Sequence, residues 1–351
     1  MIVTVTPNPS VDRTIGVART RRGQVHQGTS SRLDPAGKGV NVARALNAND
    51  AKAVAVLPVG GAEGKVLVGL LEECGVDVVG VPIAEPIRGN VTISEPDGTT
   101  TKFNEPGPVL DADECTALLA GVSAALSGSP QWLVGCGSLP GGLDDGFYAR
   151  LVRVGHRHGV AVAVDTSGPA LVQAAAAGAD LLKPNVHELE QAHAGSLRTL
   201  GDVVDAAHRL LELGRQAAAA QRRAVVVSLG RHGAVLVRPG LPAVHAFADA
   251  ATPRSTVGAG DALLAGYLFA QDSEAQDEAP GDAQDEATGD AQDEGQGVAG
   301  DVSGHGALVA AVAWGTAAVG LPGSRMPAPA DVAGVHVRVE TRPELELPIH
   351  E

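Results

Sequence analysis

Two rhythms of apolar and polar positions alternate along this chain of 351 residues. Short apolar, β-branched runs read as strands: Ile2-Val3-Thr4-Val5-Thr6, Ala53–Leu57, Val76–Val81, Gln131–Cys136, Val160–Val164, Leu181-Leu182 and Ala224–Leu229. Between them, apolar residues recur at three- and four-residue spacing over Lys65–Cys74, Asp111–Leu126, Tyr148–His158, Leu171–Ala177 and Val203–Ala220, which reads as helix. Strands alternating with helices in this way predict a parallel sheet covered by helices, an α/β architecture. Two further strands, Ala234–Val237 and Val244–Phe247, precede a helix over Asp261–Ala270, and Ala307–Val319 resumes as an Ala-rich helix. Residues 331–351 read as a loose last strand and tail.

The rhythm is interrupted in three places. Residues 13–33 are polar and alternating, and residues 87–104 hold two strand-like runs around Pro96-Asp97-Gly98, a strong hairpin turn. Together they suggest a small β-sheet lid standing off the main domain. The third break, 272–303, is an eight-residue acidic repeat (Ala275-Gln-Asp-Glu-Ala-Pro-Gly-Asp and its copies) with almost nothing to bury, expected to be a disordered insertion in an otherwise single domain.

Composition narrows the picture. The net charge of −15 is concentrated: the stretch from Asp272 to Asp301 carries eleven acidic residues and no Lys or Arg, leaving −4 elsewhere. No basic stripe suggests nucleic acid, and no long apolar run suggests a membrane span. Three scattered cysteines make neither a disulfide framework nor a zinc site, and with no secretory signal the expected location is the cytoplasm.

The candidate chemistry sits where strands turn into helices. In Thr256-Val257-Gly258-Ala259-Gly260-Asp261 the glycines let backbone N–H groups approach an anion at a helix N-terminus, with Asp261 beside it as a possible proton acceptor or as a helix cap. Gly37-Lys38-Gly39-Val40-Asn41 opens another helix with Lys38 in its first turn, against the helix dipole, which suggests a compensating anion. Asn185 and Glu188 are spaced to face a hydrated Mg²⁺, to form a capping box, or both. Asp12 can accept from sugar hydroxyls or serve a turn; Arg88 can grip phosphate or lie at the surface; Ser138, after a buried strand, can donate to phosphate. Gly60–Lys65 lacks the spacing and hydroxyl of a P-loop. His156 and His158 read as helix-end residues. The glycines at 258, 260 and 266 are misspaced for a dinucleotide fingerprint.

Taken in order, Thr6–Asp12, Gly37–Arg44, Lys183-Pro184-Asn185 with Glu188, Ser228-Leu229-Gly230 and Thr256–Asp261 resemble the PfkB carbohydrate kinases of the ribokinase-like superfamily. The first two stretches look most like its 1-phosphofructokinase and tagatose-6-phosphate kinase members. The resemblance covers nearly the whole chain apart from 272–303. It departs from the family pattern at Ala36, at Gly141 and at Ser255. It implies a three-layer α/β domain with a mostly parallel sheet and a β-sheet lid through which homodimers form. It also implies phosphoryl transfer from ATP with Mg²⁺ to a phosphorylated ketose. Fructose 1-phosphate is the first expectation, tagatose 6-phosphate and fructose 6-phosphate the next, and a non-catalytic sugar-phosphate binder the alternative of a different class. By the same resemblance Asp261 is the base and Gly258, Ala259 and Gly260 form the anion hole. Asp12, Gly37 and Asn41 bind sugar hydroxyls, while Lys38, Arg88, Asn90 and Ser138 handle the substrate's phosphate. Lys183, Asn185, Ser228, Gly230, Gly233 and Thr256 lie along the nucleotide, with Glu188 reaching the metal through water and phosphate.

Overall fold

The computed structural model describes residues 1–216, 223–249, 253–277 and 303–349. The chain opens with β1 (Ile2–Val5) and leaves the main body through β2 (Ser10–Gly16) and β3 (Ser30–Ala36). It returns as α1 (Lys38–Asn47), β4 (Ala53–Val59), α2 (Gly61–Glu73) and β5 (Asp77–Pro82), then makes a second excursion through β6 (Arg88–Ser94) and β7 (Thr100–Asn104). A regular alternation follows: α3 (Ala112–Leu126), β8 (Trp132–Cys136), α4 (Phe147–Arg157), β9 (Ala161–Asp165), α5 (Gly168–Ala176), β10 (Leu181–Leu182), α6 (Val186–His193), α7 (Leu200–Leu213) and β11 (Ala224–Ser228). The chain closes with β12 (Ala234–Val237), β13 (Val244–Ala248), α8 (Ala259–Asp277), α9 (Ser303–Val319), α10 (Pro329–Val332) and β14 (Val337–Glu340).

The ten strands of the main sheet run in the order β14-β13-β12-β11-β10-β9-β8-β1-β4-β5. They are parallel from β11 to β5 and antiparallel across β11, β12, β13 and β14. Successive strand residues point to opposite faces. Ile2, Ala55 and Leu57 therefore join a core with α1, α2, α8 and α9, while Val3, Val5 and Val56 join another with α3, α4, α5 and α7. A sheet buried on both faces needs continuous apolar strands, and the runs of Val, Ala and Leu supply them. From β1 the chain moves first to β4 on one side and later to β8 on the other. Such a reversal opens a crevice at the strands' carboxyl ends, where open α/β sheets take their ligands.

The smaller sheet has the order β3-β2-β6-β7. Its two hairpins are antiparallel, but β2 and β6 pair in parallel, Asp12 lying opposite Asn90. The strands begin at Ser10 and end at Ala36, so Asp12 belongs to this sheet and not to a turn at the end of β1.

Several boundaries moved from expectation. Helix α7 starts at Leu200, ahead of Val203, because Thr199 and Asp202 form a capping box. Helix α8 runs through Asp277, past the expected start of the acidic insertion at 272; the remainder of that insertion, 278–302, lies outside the described residues. Helices α8 and α9 pack antiparallel, a Cβ on Gly266 meeting Trp314 and one on Gly315 meeting Leu263. His156 and His158 do sit at the end of α4, bonded to Asp180 and Ser123 at 2.9 Å each.

Candidate active site

The strand ends and the helix starts converge on one cavity of about 500 Å³. Its walls include Lys38 from α1, Asp165 from β9, Lys183, Asn185 and Glu188 around the start of α6, Ser228 at the end of β11 with Gly230 and Gly233 after it, and Thr256, Gly258, Ala259, Gly260 and Asp261 at the start of α8. Leu263, Val312 and Val319 give it an apolar side.

At its inner end Asp261 is 7% exposed. Burial first, and then the nearby Asp165 carboxylate, push the Asp261 carboxyl up to about 6; the hydrogen bond from Asn41 and the charges of Lys38 and Lys183 hold it from rising further. Asn41 Nδ2 donates to Asp261 Oδ2 at 2.8 Å. Gly258 has φ of 79°, in the left-handed region that glycine enters without strain, at the turn leading into α8; a Cβ there would lie 2.6 Å from the Met326 methyl. Ala259, whose amide donates to the Thr256 carbonyl at 3.4 Å, and Gly260 then begin α8, where the positive end of the helix dipole favours an anion.

Lys38 carries the compensation its position demanded, though not in the form expected. Its Nζ donates to Asp165 Oδ1 at 2.8 Å and to Glu188 Oε1 at 2.7 Å, while Lys183 Nζ lies 3.1 Å from Asp165 Oδ2. Burial works against the Lys38 ammonium, but the two carboxylates outweigh it and hold its pKa above the ordinary lysine value. Burial likewise disfavours the Asp165 carboxylate, and Lys183 and Lys38 reverse the balance to keep its pKa low. The Lys38 amine thus engages these carboxylates and not Arg88, Asn90 or Ser138, with which the resemblance had grouped it. Asn185 and Glu188 form the capping box of α6, with Asn185 Oδ1 accepting from the Glu188 amide and Glu188 Oε2 from the Asn185 amide, while Glu188 Oε1 stays on Lys38. The capping-box reading of that pair therefore holds.

A second cluster sits where the small sheet meets the main one. Asn90 Nδ2 donates to Asp12 Oδ1 at 2.8 Å and to Ser10 Oγ at 3.0 Å; Arg88 Nη2 donates to the Asn8 carbonyl at 3.1 Å; Asn8 Nδ2 donates to Ser138 Oγ at 3.3 Å. Asn8 Oδ1, Arg88 Nε and Asn90 Oδ1 are buried without partners, an arrangement suited to a polar ligand. Burial lowers the Arg88 pKa and Asp12 opposes the shift. Gly37, with φ of 122°, precedes Lys38 and packs against Thr6 and Pro9: a Cβ there would lie 2.7 Å from Thr6 Cγ2.

Sequence reasoning missed Asp165 and Asn8. Asp165 ends a buried strand at the sheet's carboxyl edge, a signal that topology makes readable; Asn8 sits between prolines in the loop after β1. Among the described residues no group of three or more His, Cys, Asp or Glu side chains could hold a metal ion. Glu188 and Asp165 still offer the one or two oxygen donors that a phosphate-bound Mg²⁺ uses. No described helix is long and apolar enough to cross a membrane.

Residues 6–279 match the model of the pfkB family carbohydrate kinases, and the chain belongs to that family. It is 39% identical to a 1-phosphofructokinase of Rhodobacter capsulatus over 77% of this chain and 83% of that one. It is 36% identical to the ATP-dependent 6-phosphofructokinase isozyme 2 of Mycobacterium tuberculosis over 75% and 76% of the two chains. Phosphofructokinase-2 from Escherichia coli in complex with substrates and products is similar in structure, with a TM-score of 0.77 and 29% identity, covering 95% of this chain and 97% of that one. The ribokinase-like α/β fold and the assignment as a sugar-phosphate kinase follow.

Proposed function

We propose that the chain transfers the terminal phosphoryl group of ATP to the free primary hydroxyl of fructose 1-phosphate, giving fructose 1,6-bisphosphate. The observation that carries this reading is Asp261. It is a buried carboxylate with its pKa raised to about 6, held by Asn41 beside a left-handed glycine turn at a helix N-terminus. At pH 7.5 most of it is ionised and able to accept a proton. The substrate hydroxyl gives its proton to Asp261 as its oxygen bonds to the γ-phosphorus; the bond from that phosphorus to the bridging oxygen breaks, and ADP leaves with the electron pair. The amides of Gly258, Ala259 and Gly260 stabilise the charge developing on the transferring group. Thr256, Ser228, Gly230 and Gly233 line the cavity and would lie along the nucleotide.

Mg²⁺ supplies charge neutralisation across the phosphates. Glu188, Asp165 and Asn185 are the residues that would hold it with its water, and Lys38 and Lys183 place positive charge beside them. At the second cluster, Arg88, Asn90 and Ser138 would take the phosphate already on the sugar and Asp12 its hydroxyls, in keeping with the unpartnered polar atoms there. The exposed outer sheet, where Phe103 on β7 is 61% exposed, would pair two copies; sedimentation of a Phe103→Glu variant as a monomer beside a dimeric parent tests that arrangement.

Relatives at 35–39% identity named 1-phosphofructokinase support fructose 1-phosphate as acceptor, and the 36% identical 6-phosphofructokinase makes fructose 6-phosphate the second reading. A coupled assay of ADP release compares fructose 1-phosphate, fructose 6-phosphate, tagatose 6-phosphate and ribose. The expected order of kcat/KM puts fructose 1-phosphate first. A preference for fructose 6-phosphate would move the assignment to the second reading, and a preference for ribose would overturn the phosphosugar assignment altogether.

A further inference from the structure

The amide that holds Asp261 is itself held. Asn41 and Arg44 are three residues apart on α1 and so share one face of it. While Asn41 Nδ2 donates to Asp261, Asn41 Oδ1 accepts from Arg44 Nη1 at 3.2 Å. The same Nη1 lies 3.1 Å from the Pro35 carbonyl, on the small-sheet strand β3, and 3.2 Å from the Ser324 carbonyl, in the segment after α9. That segment is tied down on both sides. Asn49 Nδ2 donates to the Pro327 carbonyl at 2.8 Å, and Met326 is the residue a Cβ on Gly258 would strike. Arg44 does not line the cavity.

We infer that Arg44 is a positioning residue for the phosphoryl transfer, locking the Asn41 amide in the one orientation that presents its N–H to Asp261. The inference rests on Asp261 being the base. An amide can turn over at little cost in shape, but a guanidinium has only donors and an ionised carboxylate only acceptors. A flipped Asn41 would set its oxygen against Asp261 and its nitrogen against Arg44, losing both bonds at once. Without Arg44 only Asp261 selects the orientation, and when Asp261 is protonated nothing does. The hydrogen bond favours the ionised base, so weakening it lets burial carry the carboxyl higher. The other charged or titratable groups acting on Asp261 are Asp165 on β9, Lys38 on α1, Lys183 after β10 and the Cys136 thiol on β8. Arg44 hydrogen-bonds to Asn41 and to the Pro35 and Ser324 carbonyls instead, so its effect on Asp261 passes through Asn41.

The test is the pH profile of kcat/KM for the kinase reaction in Arg44→Met, Asn41→Ala, their double variant, Arg44→Lys and Asp261→Ala. The acid limb, set near 6 by Asp261 in the parent, is expected to move up by about one pH unit in Arg44→Met and in Asn41→Ala. The double variant should move no further than Asn41→Ala alone, and Arg44→Lys, which keeps a donor, should restore most of the shift. An unmoved limb in Arg44→Met, or shifts that add in the double variant, would overturn the inference, since a merely structural arginine lowers activity without displacing the limb. Should Arg44→Met fail to melt cooperatively, Arg44→Leu takes its place, equally without a donor; an unmoved limb there is equally fatal. Asp261→Ala separates the two levels. If it retains turnover, the assignment of the base and the role of Arg44 both fall; if it is inactive while the limb stays put in Arg44→Met, only the role of Arg44 falls.

Discussion

The Lys38 ammonium donates to Glu188 Oε1 at 2.7 Å, joining residues 150 positions apart in the chain. This bond links the glycine-rich start of α1 to the capped start of α6, and Asp165 completes it from below. Positive charge at one helix start is balanced by carboxylates instead of by a free anion. The same carboxylates are the oxygen donors available to a phosphate-bound cation, so their charge and their geometry are separable by mutation.

Glu188→Gln keeps an oxygen for the capping box and removes the charge. The Mg²⁺ concentration for half-maximal rate is expected to rise by about tenfold, as for other groups that orient or support a metal site. Thermal denaturation should shift by no more than about 4 °C. A Mg²⁺ titration at fixed ATP and a melting curve on the same preparation check both.

Asp261→Asn should lower kcat by about 10³-fold, within the range for loss of a positioned general base. It should also stabilise the protein at neutral pH. The folded-state carboxyl is raised from the ordinary 3.8 to about 6, so the wild-type residue contributes stability that is complete below 3.8 and is lost as pH rises through 6. Asparagine carries no such loss. The variant is expected to gain on the order of 1–3 kcal/mol over wild type at pH 8 and less at pH 5. Melts at both values decide it, and a gap that does not widen with pH would count against the raised carboxyl.

Gly258→Ala and Gly260→Ala should differ in kind. Gly258 has a left-handed φ of 79° and a Cβ added there would lie 2.6 Å from Met326 Cε, so alanine should cost about 1–3 kcal/mol of stability as well as activity. At Gly260 the nearest atom to a Cβ is Lys183 Nζ at 3.5 Å, an ordinary contact. Alanine at 260 keeps the backbone N–H but sets a methyl beside Lys183 in the cavity, so the melting temperature should stay unchanged while kcat falls as the added methyl displaces the transferring group. Denaturation and steady-state kinetics on the pair separate fold from chemistry.

Replacing residues 278–302 with a short Gly-Ser linker should change either KM by less than about twofold, because loop-closure entropy varies slowly with length. The antiparallel packing of α8 and α9 brings Asp277 and Ser303, which flank the segment, to one side of the domain. A larger loss of activity would assign the acidic repeat a part in the reaction.

Much of this protein is written locally. Apolar runs of Val, Ala and Leu sufficient for strands buried on both faces, helical spacing between them and the turn at Pro96-Asp97-Gly98 predict the α/β layers and the second hairpin. A capping box is legible because its residues are three apart, as at Asn185 and Glu188. A glycine loop running into a helix is legible, as at Gly258 and Gly260, because small residues there precede helical apolar spacing. Those features depend on neighbours along the chain, and composition plus spacing suffice to find them.

What the tertiary structure decided are the relationships between distant side chains. Asp165 reads in sequence as the polar end of a strand; it becomes the centre of the charge network only because β9 lies beside β10 and below the start of α1. Lys38 reads as a lysine awaiting a phosphate, and folding gives it two carboxylates. Arg44 reads as one more helix residue, yet it meets Asn41, β3 and the segment after α9 at a single nitrogen. The physical reason is one of range. Propensity, capping and turn chemistry act over a few residues and leave a pattern in the sequence. Desolvation and charge pairing act through space at a few ångströms, and which groups come that close is settled only when the sheet order and the helix packing are in place.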